Sequence, residues 1–140
     1  MLVHPVSVFI LDDSPQLMEM LRELISDPGR IEVVGTASSA IEALESIRLS
    51  IPDVAIVDLQ LKDGSGFDFV KSIRLLPQTQ DVVIMLFTNH VSRELQHHAL
   101  ALGANYFFDK SRDHAKILDV LQSLVRTRER TNDADSSFSC

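Results

Sequence analysis

Residues 6–15 have the sequence VSVFILDDSP, an almost wholly apolar run followed by two aspartates, a serine and a proline. An apolar run of this length without polar alternation is typical of a strand buried on both faces of a parallel sheet. Ser14 is suited to cap the N-terminus of a helix, and Pro15 to occupy its first position. The stretch therefore predicts a buried strand that ends at paired carboxylates and continues into a helix.

The same strand–helix unit recurs along the chain. Further short apolar runs occur at Ile31–Gly35, Val54–Val57, Val82–Phe87 and Tyr106–Phe108, and each is followed by a stripe of apolar residues at helical spacing. Only Ile31–Gly35, which contains Glu32, has the pattern of an edge strand. The other runs predict strands buried on both faces. Five such units predict an α/β fold, a doubly wound five-stranded parallel sheet with helices on both sides.

Length and composition limit the remaining possibilities. The 140 residues fit one domain, which we place at 1–126, and the polar segment 127–140 predicts a disordered tail. The net charge of −7 argues against direct binding of nucleic acid. The sequence shows neither a signal peptide nor an apolar stretch of the ~18 residues that a membrane span needs. A single cysteine, Cys140, suits a reducing compartment, so we expect a cytoplasmic protein without membrane insertion.

Chemically reactive side chains follow four of the predicted strands. Asp12 and Asp13 follow the first, Asp58 the third, Thr88 the fourth, and Lys110 the fifth. Because the crevice of an open parallel sheet lies beyond the carboxyl ends of its strands, we expect these groups to converge. Two unit charges 4 Å apart repel by about 4 kcal/mol at an effective dielectric near 20, so the aspartates need a compensating cation. Carboxylate oxygens favour Mg²⁺ over softer metals.

Four segments at these positions resemble the receiver domains of bacterial two-component response regulators, and among them the single-domain chemotaxis regulators. They are Ile10–Pro15, Val57–Gly66, Leu86–Thr88 and Gly103–Lys110. The resemblance covers roughly residues 5–126. It implies a flavodoxin-like (βα)5 three-layer sandwich with the strand order 2-1-3-4-5.

The resemblance also implies the roles of the acidic residues. Asp58 is the phosphoacceptor and one of the ligands of the cofactor, Mg²⁺. Asp13 binds the metal directly, and Asp12 does so directly or through water. The backbone carbonyl of Gln60 is the remaining protein ligand.

Further roles are implied for residues on the fourth and fifth strands. Lys110 pairs with the phosphoryl oxygens, and the Thr88 hydroxyl moves to hydrogen-bond them. Phe107 occupies the position of the switch aromatic. We expect three side chains near the pocket to tune the lifetime of the phosphorylated state, namely those of Gln60, Asn89 and His90.

The sequence departs from the family pattern at two positions. Ser111 stands where the family usually has a proline after the lysine, often with a cis peptide bond. We expect Ser111 to cap the last helix instead. Asn89 is larger than the small residue that usually follows the threonine, and we expect it to crowd the phosphoryl site.

The implied function is that of a phosphorelay receiver. It would accept a phosphoryl group from a phosphohistidine of a sensor histidine kinase or a histidine phosphotransfer protein. Phosphorylation would switch the face formed by the fourth helix, fifth strand and fifth helix toward an unknown downstream protein. Its only catalysis would be its own phosphorylation and dephosphorylation, so it would not be an enzyme.

Two alternatives stay open beside this function. The chain is a receiver fragment of a longer DNA-binding response regulator, or it is an aspartyl-phosphate phosphatase. The phosphatase pattern of the haloacid dehalogenase type needs Asp-x-Asp after the first strand. Here Asp12 is followed directly by Asp13, which disfavours that alternative.

Overall fold

The computed structural model describes residues 4–138, and it describes side chains through Arg130, so Cys140 lies outside the described residues. Five parallel strands form one sheet: β1 Val6–Leu11, β2 Ile31–Ala37, β3 Val54–Val57, β4 Val83–Thr88 and β5 Tyr106–Asp109. Five helices alternate with them: α1 Pro15–Ile25, α2 Ala40–Leu49, α3 Gly66–Leu75, α4 Arg93–Leu102 and α5 His114–Phe138. A short 3-10 turn, Pro77–Thr79, precedes β4.

The strands lie in the order β2-β1-β3-β4-β5, which confirms the predicted doubly wound fold. Two apolar cores lie on opposite faces of the sheet. Helices α1 and α5 cover one face, with Leu21 and Leu121 among their buried residues. Helices α2, α3 and α4 cover the other, where Phe69 is fully buried. Because all five strands are parallel, their carboxyl ends, which carry the polar residues, lie at one edge of the sheet.

The predicted start of the first helix is confirmed, and two further helix ends have local capping residues. Ser14 caps α1, its Oγ accepting a hydrogen bond from Leu17 N–H at 3.2 Å, and Pro15 is the first helical residue. Ser65 likewise caps α3. Gly103 ends α4 in the left-handed conformation, with φ at +110°, where a side chain would be strained.

Two expectations about the strands and caps are wrong. Residues 106–108 were predicted to be buried on both faces, but β5 is an edge strand and Tyr106 is 37 % exposed. Ser111 does not cap α5, because the helix starts at His114 and Asp113 holds the preceding position. The Ser111 hydroxyl donates instead to Asp109 Oδ1 at 2.6 Å. The Lys110–Ser111 peptide bond is trans.

Helix α5 continues to Phe138, beyond Arg126, where the sequence placed the domain boundary and the start of a disordered tail. The segment contains neither glycine nor proline, so nothing in the backbone interrupts the helix. Arg128 ties it to the sheet through an ion pair with Asp53 at 3.1 Å and a hydrogen bond to the Pro5 carbonyl at 3.1 Å. The described helical residues include no segment long and apolar enough to cross a bilayer.

Candidate functional site

The backbone of the sheet places the predicted site residues at one edge. Asp12 N–H donates to the Ala37 carbonyl at 3.0 Å, which continues the pairing of β1 with β2. Asp58 N–H donates to the Leu11 carbonyl at 2.9 Å, and Lys110 N–H to the Thr88 carbonyl at 2.9 Å. Each residue is therefore held at the carboxyl end of its strand, next to the neighbouring strand.

Lys110 lies between two of the aspartates. Its Nζ is 2.8 Å from Asp12 Oδ2 and 2.9 Å from Asp58 Oδ2, and all three side chains are at least 88 % buried. Asp12 Oδ1 also accepts a hydrogen bond from Ser14 N–H at 2.9 Å. The ammonium thus offsets the repulsion between two carboxylates that the fold brings together.

The environment shifts the pKa of Asp12 and of Lys110. Burial raises the pKa of Asp12 above its ordinary value, although hydrogen bonds from Lys110 and Ser14 oppose that effect. Burial alone would lower the pKa of Lys110. The hydrogen bonds and charges of Asp12 and Asp58 outweigh it, so the net pKa of Lys110 is raised. At neutral pH Lys110 is therefore protonated and carries a positive charge beside Asp12 and Asp58.

Asp13 completes an acidic group that fits a divalent cation. One carboxylate oxygen from each of Asp12, Asp13 and Asp58 lies within 4.8 Å of the others. Asp13 is exposed, so a metal here would keep access to water, as Mg²⁺ requires. The formal charges of three carboxylates and one ammonium sum to −2, which a divalent cation would neutralise.

The loop after β3 folds back closely on Asp58. Gln60–Leu61 pairs with Gly64–Ser65 in a two-residue antiparallel ladder that the sequence analysis did not predict. Gly66 N–H donates to the Leu59 carbonyl at 2.8 Å. A side chain at Gly66 would collide with the backbone carbonyl of Asp58, so only glycine permits this approach. Gln60 N–H makes a long hydrogen bond, 3.4 Å, to Asp58 Oδ1.

Thr88 is fully buried, and its Oγ1 accepts a hydrogen bond from His90 N–H at 3.2 Å. Asn89 and His90 are exposed. His90 and Gln60 line one open cleft of about 540 Å³, together with Leu95 of α4. The structure therefore brings together two of the three residues predicted to affect the lifetime of a phosphorylated state.

The aromatic residues of β5 point to opposite faces of the sheet. Phe107 is half-buried and packs on the core beneath α2, α3 and α4. Tyr106 stacks on Phe108, with ring centroids 5.5 Å apart, on the face covered by α1 and α5. The predicted switch aromatic is thus on the same side of the sheet as α4.

Sequence reasoning missed Asp63 in the loop after β3. Its carboxylate accepts hydrogen bonds from two backbone N–H groups at the start of α2, those of Ala40 and Ile41. The only local signal is the Asp63–Gly64 pair, which is typical of a turn. Nothing in that pair indicates a contact with a helix more than twenty residues away.

Comparisons with known proteins agree with this site. The family described as response regulator receiver domain matches residues 8–122. A protein-glutamate methylesterase/protein-glutamine glutaminase of Saccharophagus degradans is 33 % identical over 115 residues, which are 82 % of this chain and 33 % of that protein. The DNA-binding transcriptional activator DevR/DosR of Mycobacterium tuberculosis is 31 % identical over 105 residues, 75 % of this chain and 48 % of that protein.

A solved structure shows the same relationship. The two-component response regulator of the LuxR family from Aurantimonas sp. SI85-9A1 superposes with a TM-score of 0.78 at 27 % identity, covering 89 % of this chain and 87 % of that one. The chain spans between a third and a half of the length of the two curated relatives above. The fold, the grouped aspartates and the match over residues 8–122 lead to one conclusion: the chain belongs to the response regulator receiver domains of two-component systems.

Proposed function

We propose that this receiver is switched by phosphorylation of Asp58, with Mg²⁺ bound beside it. The observation that carries the proposal is the buried Asp58 carboxylate, held 2.9 Å from Lys110 Nζ within a group of three aspartates. The Lys110 ammonium lies where it can stabilise the negative charge of a phosphoryl group that approaches Asp58. Phosphoryl transfer requires this kind of electrostatic stabilisation.

The acidic group supplies the ligands for the metal. Asp13, Asp58 and the Gln60 carbonyl would hold Mg²⁺ directly. Asp12 would contact it directly or through water, and its carboxylate oxygens also accept hydrogen bonds from Ser14 N–H and Lys110. When bound, Mg²⁺ would neutralise negative charge on the aspartates and on the phosphoryl group.

In the transfer, a carboxylate oxygen of Asp58 forms a bond to phosphorus. The bond between phosphorus and the imidazole nitrogen of the donor breaks, and the electron pair returns to that imidazole. The Lys110 ammonium, now paired with Asp58 Oδ2, moves its hydrogen bond to a phosphoryl oxygen. The chain therefore catalyses only its own modification.

Thr88 connects the modified site with the proposed output face. Its hydroxyl accepts from His90 N–H at the start of the β4–α4 loop and can still donate its own proton, so a movement of Thr88 toward the phosphoryl group would carry the start of that loop with it. The backbone N–H of Lys110 also donates a hydrogen bond to the Thr88 carbonyl. Phosphorylation would then shift α4 and Phe107, and with them the face formed by α4, β5 and α5.

The partners follow from this chemistry. The donor is a phosphohistidine of a sensor histidine kinase or phosphotransfer protein in the cytoplasm, and the output is a downstream protein that binds the α4–β5–α5 face. A second candidate is a receiver that forms part of a longer regulator. It is supported by the curated relatives, since the chain covers only 33 % and 48 % of the two described above.

Intact-mass spectrometry after incubation with acetyl phosphate tests the proposal. We expect the gain of one phosphoryl group in the presence of Mg²⁺, lost on mild alkaline treatment as an acyl phosphate is. In EDTA the gain should disappear. A chain that takes up no phosphoryl group with Mg²⁺ present, or that hydrolyses a free phosphomonoester in many turnovers, would contradict the proposal.

The lifetime of the phosphorylated state should depend on Gln60 and His90. Both line the cleft beside the site, and hydrolysis requires a water molecule aligned with the bond to Asp58. We expect Gln60→Ala and His90→Ala to change the rate of phosphoryl decay by up to about tenfold, or ~1.4 kcal/mol. Mg²⁺ affinity should stay unchanged, since neither side chain is a ligand. The exposed His97 on α4 does not line the cleft, so His97→Ala is the control. If phosphoryl decay has the same rate in Gln60→Ala, His90→Ala and His97→Ala, Gln60 and His90 do not control the lifetime of the phosphorylated state.

A further inference from the structure

Asp63 joins the loop after β3 to the N-terminus of α2. Its Oδ1 accepts a hydrogen bond from Ala40 N–H at 2.9 Å and its Oδ2 one from Ile41 N–H at 3.2 Å, across 23 and 22 positions of sequence. Ser39 Oγ accepts from the N–H of Glu42 at 3.3 Å. The first N–H groups of a helix have no partner within the helix, and here the Asp63 carboxylate accepts hydrogen bonds from two of them.

The carboxylate also suits the electrostatics of this position. A helix N-terminus carries partial positive charge, which favours an anion. The backbone hydrogen bond from Ala40 is the largest cause of a lowered pKa of Asp63, and the bond from Ile41 adds to it. Asp63 is exposed, and so is Ile41. The contact is therefore a surface anchor whose removal leaves the apolar cores untouched.

A short path through hydrogen-bonded backbone leads from Asp63 to the phosphorylation site. Asp63 lies in the turn of the hairpin that pairs Gln60–Leu61 with Gly64–Ser65. At its base the hairpin is closed by Gly66 N–H, which donates to the Leu59 carbonyl, directly against the backbone of Asp58. A displacement of the turn therefore moves the backbone of Gln60.

We propose that Asp63 is a positioning residue for the metal. By anchoring the hairpin to α2, it orients the Gln60 carbonyl, so that Mg²⁺ binding and the first turn of α2 are energetically coupled. This inference rests on the proposed function, because it assigns the Gln60 carbonyl to Mg²⁺. Coupling of this kind is reciprocal: the metal orders the start of α2, and the anchor tightens metal binding.

Mg²⁺ titration of the full chain, followed by amide NMR, tests the coupling. Asp63→Ala should weaken Mg²⁺ binding about fivefold, at the low end of typical coupling between sites. Asp63→Asn keeps one acceptor oxygen and should lie between the wild type and Asp63→Ala. Asp68→Asn is the matched control, since it removes another exposed acid near the same loop, at the start of α3. It corrects for the general loss of negative charge.

Hydrogen exchange gives a second readout that does not depend on activity. In the wild type, Mg²⁺ should slow exchange at the Ala40 and Ile41 amides, and in Asp63→Ala this effect should vanish. If the Mg²⁺ affinities of Asp63→Ala and Asp68→Asn agree within a factor of two, the inference about Asp63 is overturned while the proposed function stands. A wild-type chain that binds no Mg²⁺ would overturn the proposed function and this inference with it.

Discussion

Asp58→Asn should take up no phosphoryl group from acetyl phosphate, a loss of at least about a thousandfold in rate. An amide oxygen is neutral and far less nucleophilic than a carboxylate, so the new bond to phosphorus cannot form at a useful rate. The fold should be unaffected, because asparagine has nearly the same shape. Lys110 also keeps its ion pair with Asp12 at 2.8 Å. Intact-mass spectrometry at fixed Mg²⁺ measures the outcome.

A control separates the loss of the acceptor from a loss of negative charge. Asp81 is an exposed acid ahead of β4, on the side of the sheet remote from the site. Asp81→Asn should accept one phosphoryl group at the wild-type rate. Uptake by Asp58→Asn at the rate of Asp81→Asn would show that another residue is the acceptor.

The second large effect concerns stability. Lys110→Met should destabilise the metal-free protein at neutral pH, because Asp12 and Asp58 would stay buried without their cation. Removing one partner of a buried ion pair costs about 3–5 kcal/mol, and we expect the lower end because exposed Asp13 admits water to the pocket. Mg²⁺ should restore part of the stability by replacing the missing positive charge. Urea denaturation with and without Mg²⁺ measures both effects.

Lys116→Met provides the matched comparison. Lys116 pairs with Asp113 at 3.2 Å, but its side chain is 65 % exposed, so its loss should change the free energy of unfolding by at most about 1 kcal/mol. Equal stabilities of the two variants without metal would contradict the ion-pair argument. Phosphoryl uptake should fall only in Lys110→Met.

The pH dependence of the two proteins should differ in a defined direction. The raised pKa of Lys110 means that its pairing stabilises the wild type fully below the unfolded value, near 10.5, and is lost as the pH rises through the folded value. In Lys110→Met this alkaline loss should be absent. The pKa of Asp12 is already raised by burial, so the folded variant should take up a proton readily. Its deficit in stability should shrink as the pH falls toward about 4.

The sequence by itself determined the secondary structure and its alternation. The reason is that the deciding signals are local: apolar runs, helical stripes and caps such as Ser14 and Gly103 act within a few residues. The convergence of Asp12, Asp58 and Lys110 was predictable too. Parallel strands place their carboxyl ends at one edge, so residues directly after the strands must lie there.

Local sequence patterns are not sufficient where contacts between distant residues determine the structure. The apolar run at residues 106–108 resembles a strand buried on both faces, but β5 lies at the edge of the sheet and its residues are only partly buried or exposed. The polar segment after Arg126 lacks an apolar stripe, yet the helix continues, and Arg128 binds Asp53 of a distant loop. The position of β5 at the sheet edge and the contact of Arg128 with Asp53 both depend on residues far apart in the sequence.

Only the tertiary structure decided which polar groups meet. Lys110 reaches Asp58 across 52 positions, and Asp63 reaches Ala40 across 23. These contacts depend on strand register and on the path of the loop after β3, and hydrogen bonds need their atoms placed to within a few tenths of an ångström. Hydrophobic periodicity carries no such information, because it specifies which face of an element is buried and not what its ends touch.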